Sequence, residues 1–553
     1  LPVPCRLRDG RTAQTKKRIF MTHKPTHALP ENTGAADKPN TAAKLGTVAP
    51  SEANPPVTGA VPAVTGTVPS TTGAIPAVPA PDAGPGMPNM DDPKNIYLLK
   101  EAPVFKALLA LGIPMAAGLA ITSIYNVINS YFVGHYGTVE ELAATGYGVP
   151  VFGIIMAIAG VFGLGSSTLA SRLLGEGNKA RIHNVTSFAL YSALACGVVV
   201  AIAGFLFADP VTGLMGASGS SFEPTKTFVH LLFLGAPFSV GMFTLEQLVR
   251  SEGYAKQSMY GIIWGVVINS IFDVLLIAVL GWGIAGAGWA MLAANAASMV
   301  YYLQFLIRKS PNFSWKPSDF VIAGDIIKPV FAVGAAELIQ SANLTVSALV
   351  LNNIAAGYGD DSVAAFGLAM RLNMVPEMLC MGICMGGIPL FAYAYGARNR
   401  DRVRSALKTA AMVSVATSII FTIPVLIFRR QLLELVGDSS LVATGEKVLI
   451  ALMLAAVFNA VSIVFVSWFQ AAGKGLPATL MTLGIALLFF PAVIFGNMWF
   501  GFDGLTWAFP FTQISACVLG VILFFATGGT KVKDAPASGT PEHGVTEIKV
   551  ESE

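Results

Sequence analysis

Residues 264–290 read WGVVINSIFDVLLIAVLGWGIAGAGWA. The stretch is apolar almost throughout, which is the composition of a membrane span, yet it contains Asn269 and Asp273. A carboxylate near the centre of a bilayer costs about 2.5–3.5 kcal/mol on insertion scales, so such residues face a cavity or a partner far more often than lipid. The two polar residues stand at i and i+4, which puts them on one face of a helix. The stretch therefore predicts a buried polar face turned toward a solvent-accessible cavity.

The remainder of the chain fits that environment. Of its 553 residues, 54% are hydrophobic and 12% charged, about half the charged fraction of a typical soluble domain. From Val104 onward, about twelve apolar segments are long enough to span, at about 20 residues each. They run roughly over 104–132, 142–171, 184–208, 227–249, 257–280, 284–307, 326–357, 362–394, 405–428, 441–469, 476–499 and 503–527. With the N-terminus placed inside, about twenty basic residues fall at inside ends and about four at outside ends, a strong positive-inside bias. An even number of spans then leaves both termini in the cytoplasm. The expectation is an all-α, polytopic cell-membrane protein. The acid pairs Glu140–Glu141 and Asp360–Asp361 read as solvated tips of outside loops.

An internal repeat organises these spans. The loop SRLLGEGNKARIH (171–183) aligns with AYAYGARNRDRVR (392–404). Gly146/Gly367, Gly165/Gly386, Gly175/Gly396, Asn178/Asn399 and Arg181/Arg402 all share one offset, and Gly253/Gly473, Gly286/Gly504 and Trp289/Trp507 nearly share it. The chain divides into two pseudo-symmetric six-helix halves, over 94–308 and 326–528, joined by a cytoplasmic linker at 309–325. Six is even, so both halves enter the membrane in the same sense and are parallel repeats. Residues 1–93, rich in Pro, Thr and Ala, lack the bulk to offset their ordering entropy and read as a disordered tail, as does 529–553.

Several stretches, in this order, resemble the multidrug and toxic compound extrusion (MATE) family of secondary antiporters. They are NSYFVGHYG (129–137), LVRSEGYAKQSM (248–259), INSIFDVLLI with GWGIAGAGWA, FGLAMRL (366–372), and GGIPLFAYAYGARNRDRV (386–403). The resemblance implies alternating-access export of amphipathic, often cationic, small molecules in exchange for H⁺ or Na⁺. It also implies that Asp273 and Asn269 join a cation or proton network in the first half. Asn129 stands where many relatives carry Asp. An amide does not titrate near neutral pH, but its carbonyl can ligate a cation or accept a hydrogen bond, so weight shifts to Asp273. Relatives often carry Thr where Met291 stands.

In the second half, Glu337 and Glu377 lie inside apolar helices and are further candidates for coupling, with Arg371 as a structural partner. Glu246 and Arg250 read as an interfacial ion pair. Tyr125, Asn126, Phe152 and Met156 are candidates for the substrate cavity. No cofactor is expected beyond the coupling ion, and no metal site. Cys380 and Cys384 stand at i, i+4 with no histidine or second cysteine pair near them in sequence, and read as packing. AAGKGLP (471–477) lacks the spacing of a phosphate loop, and HExxH and GxSxG are absent, which argues against an ATPase or an intramembrane enzyme. Nucleic acid is not an expected partner; membrane lipid and small toxic cations are, and the working unit is expected to be a monomer. The alternative is a flippase for lipid-linked saccharide. That activity favours a large, strongly basic cavity, whereas the first-half helices are poor in Lys and Arg.

Overall fold

The computed structural model describes residues 94–436 and 439–530. The two tails expected at 1–93 and beyond 530 lie outside the described residues. A short helix, α1 (Lys94–Lys100), leads into α2 (Val104–Tyr136), α3 (Val139–Glu176), α4 (Lys179–Leu206) and α5 (Ala208–Leu214). Next come α6 (Phe222–Leu234), α7 (Ala236–Ser251), α8 (Ala255–Asp273) and, after a π-helical turn at Val274–Val279, α9 (Gly283–Lys309). The second half holds α10 (Gly324–Ala356), α11 (Asp360–Gly396), α12 (Arg400–Ile427), α13 (Arg429–Val436), α14 (Ser439–Ala471) and α15 (Gly475–Ala526).

Nine described helices are long and apolar enough to cross a bilayer, and α6 with α7 forms a further span bent by 49° at Gly235. The 52-residue α15 is two antiparallel spans. Gly501 breaks it with φ 59° and ψ −137°, a conformation open to glycine at little cost. Across the break the backbones of Gly496 and Gly504 pack against each other, and Gly484 meets Leu519. With α10, this gives the twelve-helix, two-half arrangement expected. The helices overrun the expected spans where caps fix their ends. For α3, a Thr138–Glu141 capping box sets the start and Gly177, at φ 74°, sets the stop, so the helix covers 139–176 rather than 142–171.

The internal repeat is visible in backbone detail. Asn178 and Asn399 each cap the next helix, accepting from the backbone N–H groups of Arg181 and Arg402 at 3.2 and 2.9 Å. Gly253 and Gly473 take the same left-handed conformation after α7 and α14, at φ 84° and 66°.

Packing shows how the lobes sit. One apolar core joins both halves near the linker face: Leu108, Leu111 and Leu164 of the first half lie with Val333, Ile383, Phe391 and Trp468 of the second. Toward the opposite face the cores separate. One contains Val133, Ile155, Phe228 and Ile277, and the other Leu351, Phe366, Leu452 and Phe489. Glycines permit the close approach at the joined end. A Cβ on Gly112 would fall 2.8 Å from the Ile383 Cα, and one on Gly334 would fall 2.6 Å from the Val161 Cα. Farther out, Gly146 and its repeat mate Gly367 face open space. The lobes thus meet at the linker face and part toward the other.

The linker is strapped to the first half. Tyr191, Ser187 and Asn184 of α4 donate to the carbonyls of Trp315, Lys316 and Asp319. Ser310 Oγ donates to Glu252 at 2.5 Å while accepting from the N–H groups of Asn312 and Phe313. Burial pushes the Glu252 carboxyl up to about 7, against the lowering pull of Ser310 and Asn312. Glu141 is more than a solvated tip: besides its part in the capping box it accepts from Ile284 N at 3.1 Å, tying α3 to α9.

Candidate functional site

The polar face read from residues 264–290 meets a matching face on α2. Tyr125 and Asn129 stand one helical turn apart on α2, as Asn269 and Asp273 do on α8. Asp273 is 0% exposed. Its Oδ2 accepts from the Tyr125 hydroxyl at 3.3 Å and from Asn129 Nδ2 at 3.1 Å. Asn129 Nδ2 also reaches the Tyr125 hydroxyl oxygen, at 2.7 Å. Asn269 is buried beside the same hydroxyl. Asp273 Oδ1 and Asn269 Oδ1 are buried without a hydrogen-bond donor among the described residues. Such an acceptor carries a desolvation cost of about 1–3 kcal/mol, more for a charged group, so the pair is chemically suited to taking a proton or a small cation.

Asp273 is also the last α-helical residue of α8. The turn after it is π-helical, and Leu280 N bonds back to the Leu275 carbonyl at 2.9 Å. A π-turn winds one extra residue into the helix and is found often at functional positions. It offsets the residues that follow from the α-helical phase of the Asn269–Asp273 face.

Other sequence candidates fall in different places. Tyr125, expected on the cavity wall, has its hydroxyl in the Asp273 cluster. Asn126 is exposed, whereas Phe152 and Met156 pack half-buried against the first-half core with Met291. Glu337 of α10 lies in the seam between lobes, where a Cβ on Gly160 of α3 would fall 2.6 Å from its Cγ. Gln470 and Arg250 flank it. Glu377 of α11 is exposed and accepts from Asn459 of α14 at 3.2 Å. The expected pairing with Arg371 does not form among the described residues. Six residues along a helix is about 120° away from Glu377 around the axis, and Arg371 is exposed. The three acids thus occupy separate environments: the α2–α8 pocket, the seam and the open side of α11.

The Glu246–Arg250 pair forms, at 3.7 Å, but it is buried rather than interfacial, with side chains only 8% and 4% exposed. Ser258 Oγ donates to Glu246 at 3.1 Å. Cys380 and Cys384 are buried, with both thiols on Ser414. Two arginines cross between the halves near the linker face. Arg172 reaches the Ala472 carbonyl at 3.5 Å, and Arg402 donates to the carbonyls of Leu98, Leu99 and Ala102 at 3.0, 2.7 and 3.0 Å. Neither role is visible in the sequence, where each arginine reads as part of an ordinary basic loop.

Comparison with known proteins places this arrangement. The MatE family pattern matches residues 114–275 and 338–494, one segment in each half and together more than half of the chain. The multidrug export protein MepA of Staphylococcus saprophyticus is 29% identical over 431 residues, covering 78% of this chain and 95% of that protein. MepA of Staphylococcus aureus shows the same identity and coverage. Among solved structures, a MATE transporter in complex with MaL6 superimposes with a TM-score of 0.74 at 24% identity, covering 79% of this chain and 98% of the other. An outward-facing MATE family transporter gives the same TM-score at 23% identity, over 79% and 98%. The chain therefore belongs to the MatE family of multidrug and toxic compound extrusion transporters.

Proposed function

We propose that this chain is a secondary active multidrug efflux antiporter of the plasma membrane, with its linker face and both termini in the cytoplasm. It exports amphipathic and cationic small molecules in exchange for H⁺ or Na⁺. The observation that carries the reading is Asp273: fully buried between α2 and α8, held through one carboxylate oxygen by Tyr125 and Asn129, with the other oxygen undonated. A carboxylate so placed has two stable occupancies, empty and loaded, and loading changes the charge that α2 and α8 enclose.

On this orientation the lobes part toward the exterior. An incoming ion loads the Asp273 pocket in the outward-open form and leaves after the lobes rock to the inward-open form. Arg172, Arg402 and the glycine seam must separate in that step. The exposed Glu377 carboxylate offers a counter-charge to a cationic substrate. One elementary charge crossing 100 mV releases about 2.3 kcal/mol, and a tenfold gradient costs about 1.4 kcal/mol. One ion per cycle therefore sustains more than a tenfold gradient of a neutral substrate.

The test is dye efflux in proteoliposomes, with sodium and pH gradients imposed separately. Asp273→Asn should fold normally and lose gradient-driven efflux. Undiminished, gradient-dependent efflux in that variant removes Asp273 from the mechanism. Wild-type flux indifferent to both gradients removes ion coupling altogether.

A further inference from the structure

The first turns of α2 and α8 begin at the same face, and between them lies a groove of about 530 Å³ unrelated to the Asp273 pocket. Phe105, Leu109, Ala110, Ile113 and Pro114 form its wall, and Lys106 and Lys256 stand at its rim. On α2 the helix period sorts two faces. Ala107, Leu108, Leu111 and Gly112 are buried, while Phe105 and Ile113 are 58% and 57% exposed. The groove therefore lies on the surface turned away from the seam, which a spanning helix presents to lipid.

The chemistry is amphiphilic along the helix axis. Lys106 is in the first turn of α2 and Lys256 in the first turn of α8, where the helices leave the membrane. From Phe105 to Pro114 the wall runs about 13 Å at 1.5 Å per residue, from headgroup depth into the acyl region. Neither ammonium has an ion pair or hydrogen bond among the described residues; the nearby Glu101 is paired with Lys100 at 3.6 Å. Two unpaired lysines above an apolar trough match a phosphate over one acyl chain.

We infer that this groove is a binding site for an anionic phospholipid, whose headgroup phosphate bridges Lys106 and Lys256 while an acyl chain lies along Leu109 and Ile113. A basic residue near a membrane surface contributes about 1 kcal/mol toward anionic lipid, and two that converge on one headgroup add selectivity over zwitterionic lipid. The site sits at the base of the helix that carries Tyr125 and Asn129, and so braces the helix that supplies half of the Asp273 pocket.

The experiment is native mass spectrometry of the full chain in detergent with phosphatidylglycerol and phosphatidylcholine supplied in equal amounts. It reads binding, not flux, so it stands apart from any failure of the transport reading. The expected result is preferential retention of one phosphatidylglycerol, falling at least fivefold in Lys106→Ala/Lys256→Ala and unchanged in the control Arg308→Ala/Lys309→Ala. Ile113→Glu, which leaves both lysines in place but spoils the trough, should lower retention as well. Equal retention of the two lipids overturns the proposal, as does an equal loss in the control variant. Displacement of the bound mass by millimolar inorganic phosphate also overturns it, since that outcome assigns the lysines to a free anion.

Discussion

Placing a methyl group at Gly112 tests whether the lobes must separate where they now touch. In this conformation an added Cβ would fall 2.8 Å from the Ile383 Cα and 3.3 Å from the Ile383 carbonyl oxygen. Both obstacles are backbone, so no rotamer change relieves them, and α2 and α11 must move apart by about 1 Å to restore van der Waals distance. Overpacking of this kind costs about 1–3 kcal/mol. Alanine also favours the helix over glycine by about 1 kcal/mol, but that gain is common to both lobe arrangements and cancels in their ratio. A penalty of about 2 kcal/mol confined to the joined state shifts the equilibrium about 30-fold toward separation at the linker face. Spin labels on exposed Lys179 and Arg404 report that end, and labels on Tyr136 and Arg430 the other. In Gly112→Ala, measured by pulsed dipolar spectroscopy in a cysteine-replaced background, the first pair should gain a longer-distance population and the second a shorter one. Superimposable distributions for variant and wild type would refute the idea that these glycines hold the seam closed.

The geometry supports three more perturbations. Tyr125→Phe deletes a donor to Asp273 at the cost of about 1–2 kcal/mol, so ion-driven efflux should fall roughly 5- to 30-fold while protein yield holds; unaltered efflux separates the hydroxyl from coupling. Arg402→Ala removes three charge-assisted bonds to the end of α1 and should lower folding stability by about 2–3 kcal/mol, read as a drop in Tm. Glu252 sits at about 7 when folded against an ordinary 4.5, so the folded state holds the extra proton. Its contribution is complete below about pH 4.5 and is lost as pH rises through about 7. The apparent Tm should fall over that window, and Glu252→Gln should flatten the slope; an equal slope in both proteins would show that some other group titrates.

The fold was legible because the bilayer writes it into the chain: spans need long apolar runs, and the repeat left its glycines and Asn178/Asn399 in register. Asn269 and Asp273 were legible for the same reason, as polar residues within an apolar run at helical spacing. What they touch was not. Tyr125 reads as one more aromatic in α2, although its i, i+4 relation to Asn129 repeats the Asn269–Asp273 spacing and could have marked the partner face. Asn459 lies 82 residues from Glu377, and no local pattern links them, so Arg371 was the nearer and mistaken choice. The Glu246–Arg250 pair was found by spacing, but its depth depends on how α7 packs, which sequence period does not reveal. The linker reads as a polar connector, yet its hydrogen bonds to α4 make it part of the first half.

The wide turn at Val274–Val279 has an implication for how this protein tolerates change. Such a turn holds a surplus residue, so the length of chain beyond it can lose one position and still form a continuous spiral. A single deletion there would return the turn to ordinary α-helical winding, with the faces before and after it, Asp273 included, still in register. Chain length can therefore vary by one residue at this point without re-aiming the side chains on either side of it.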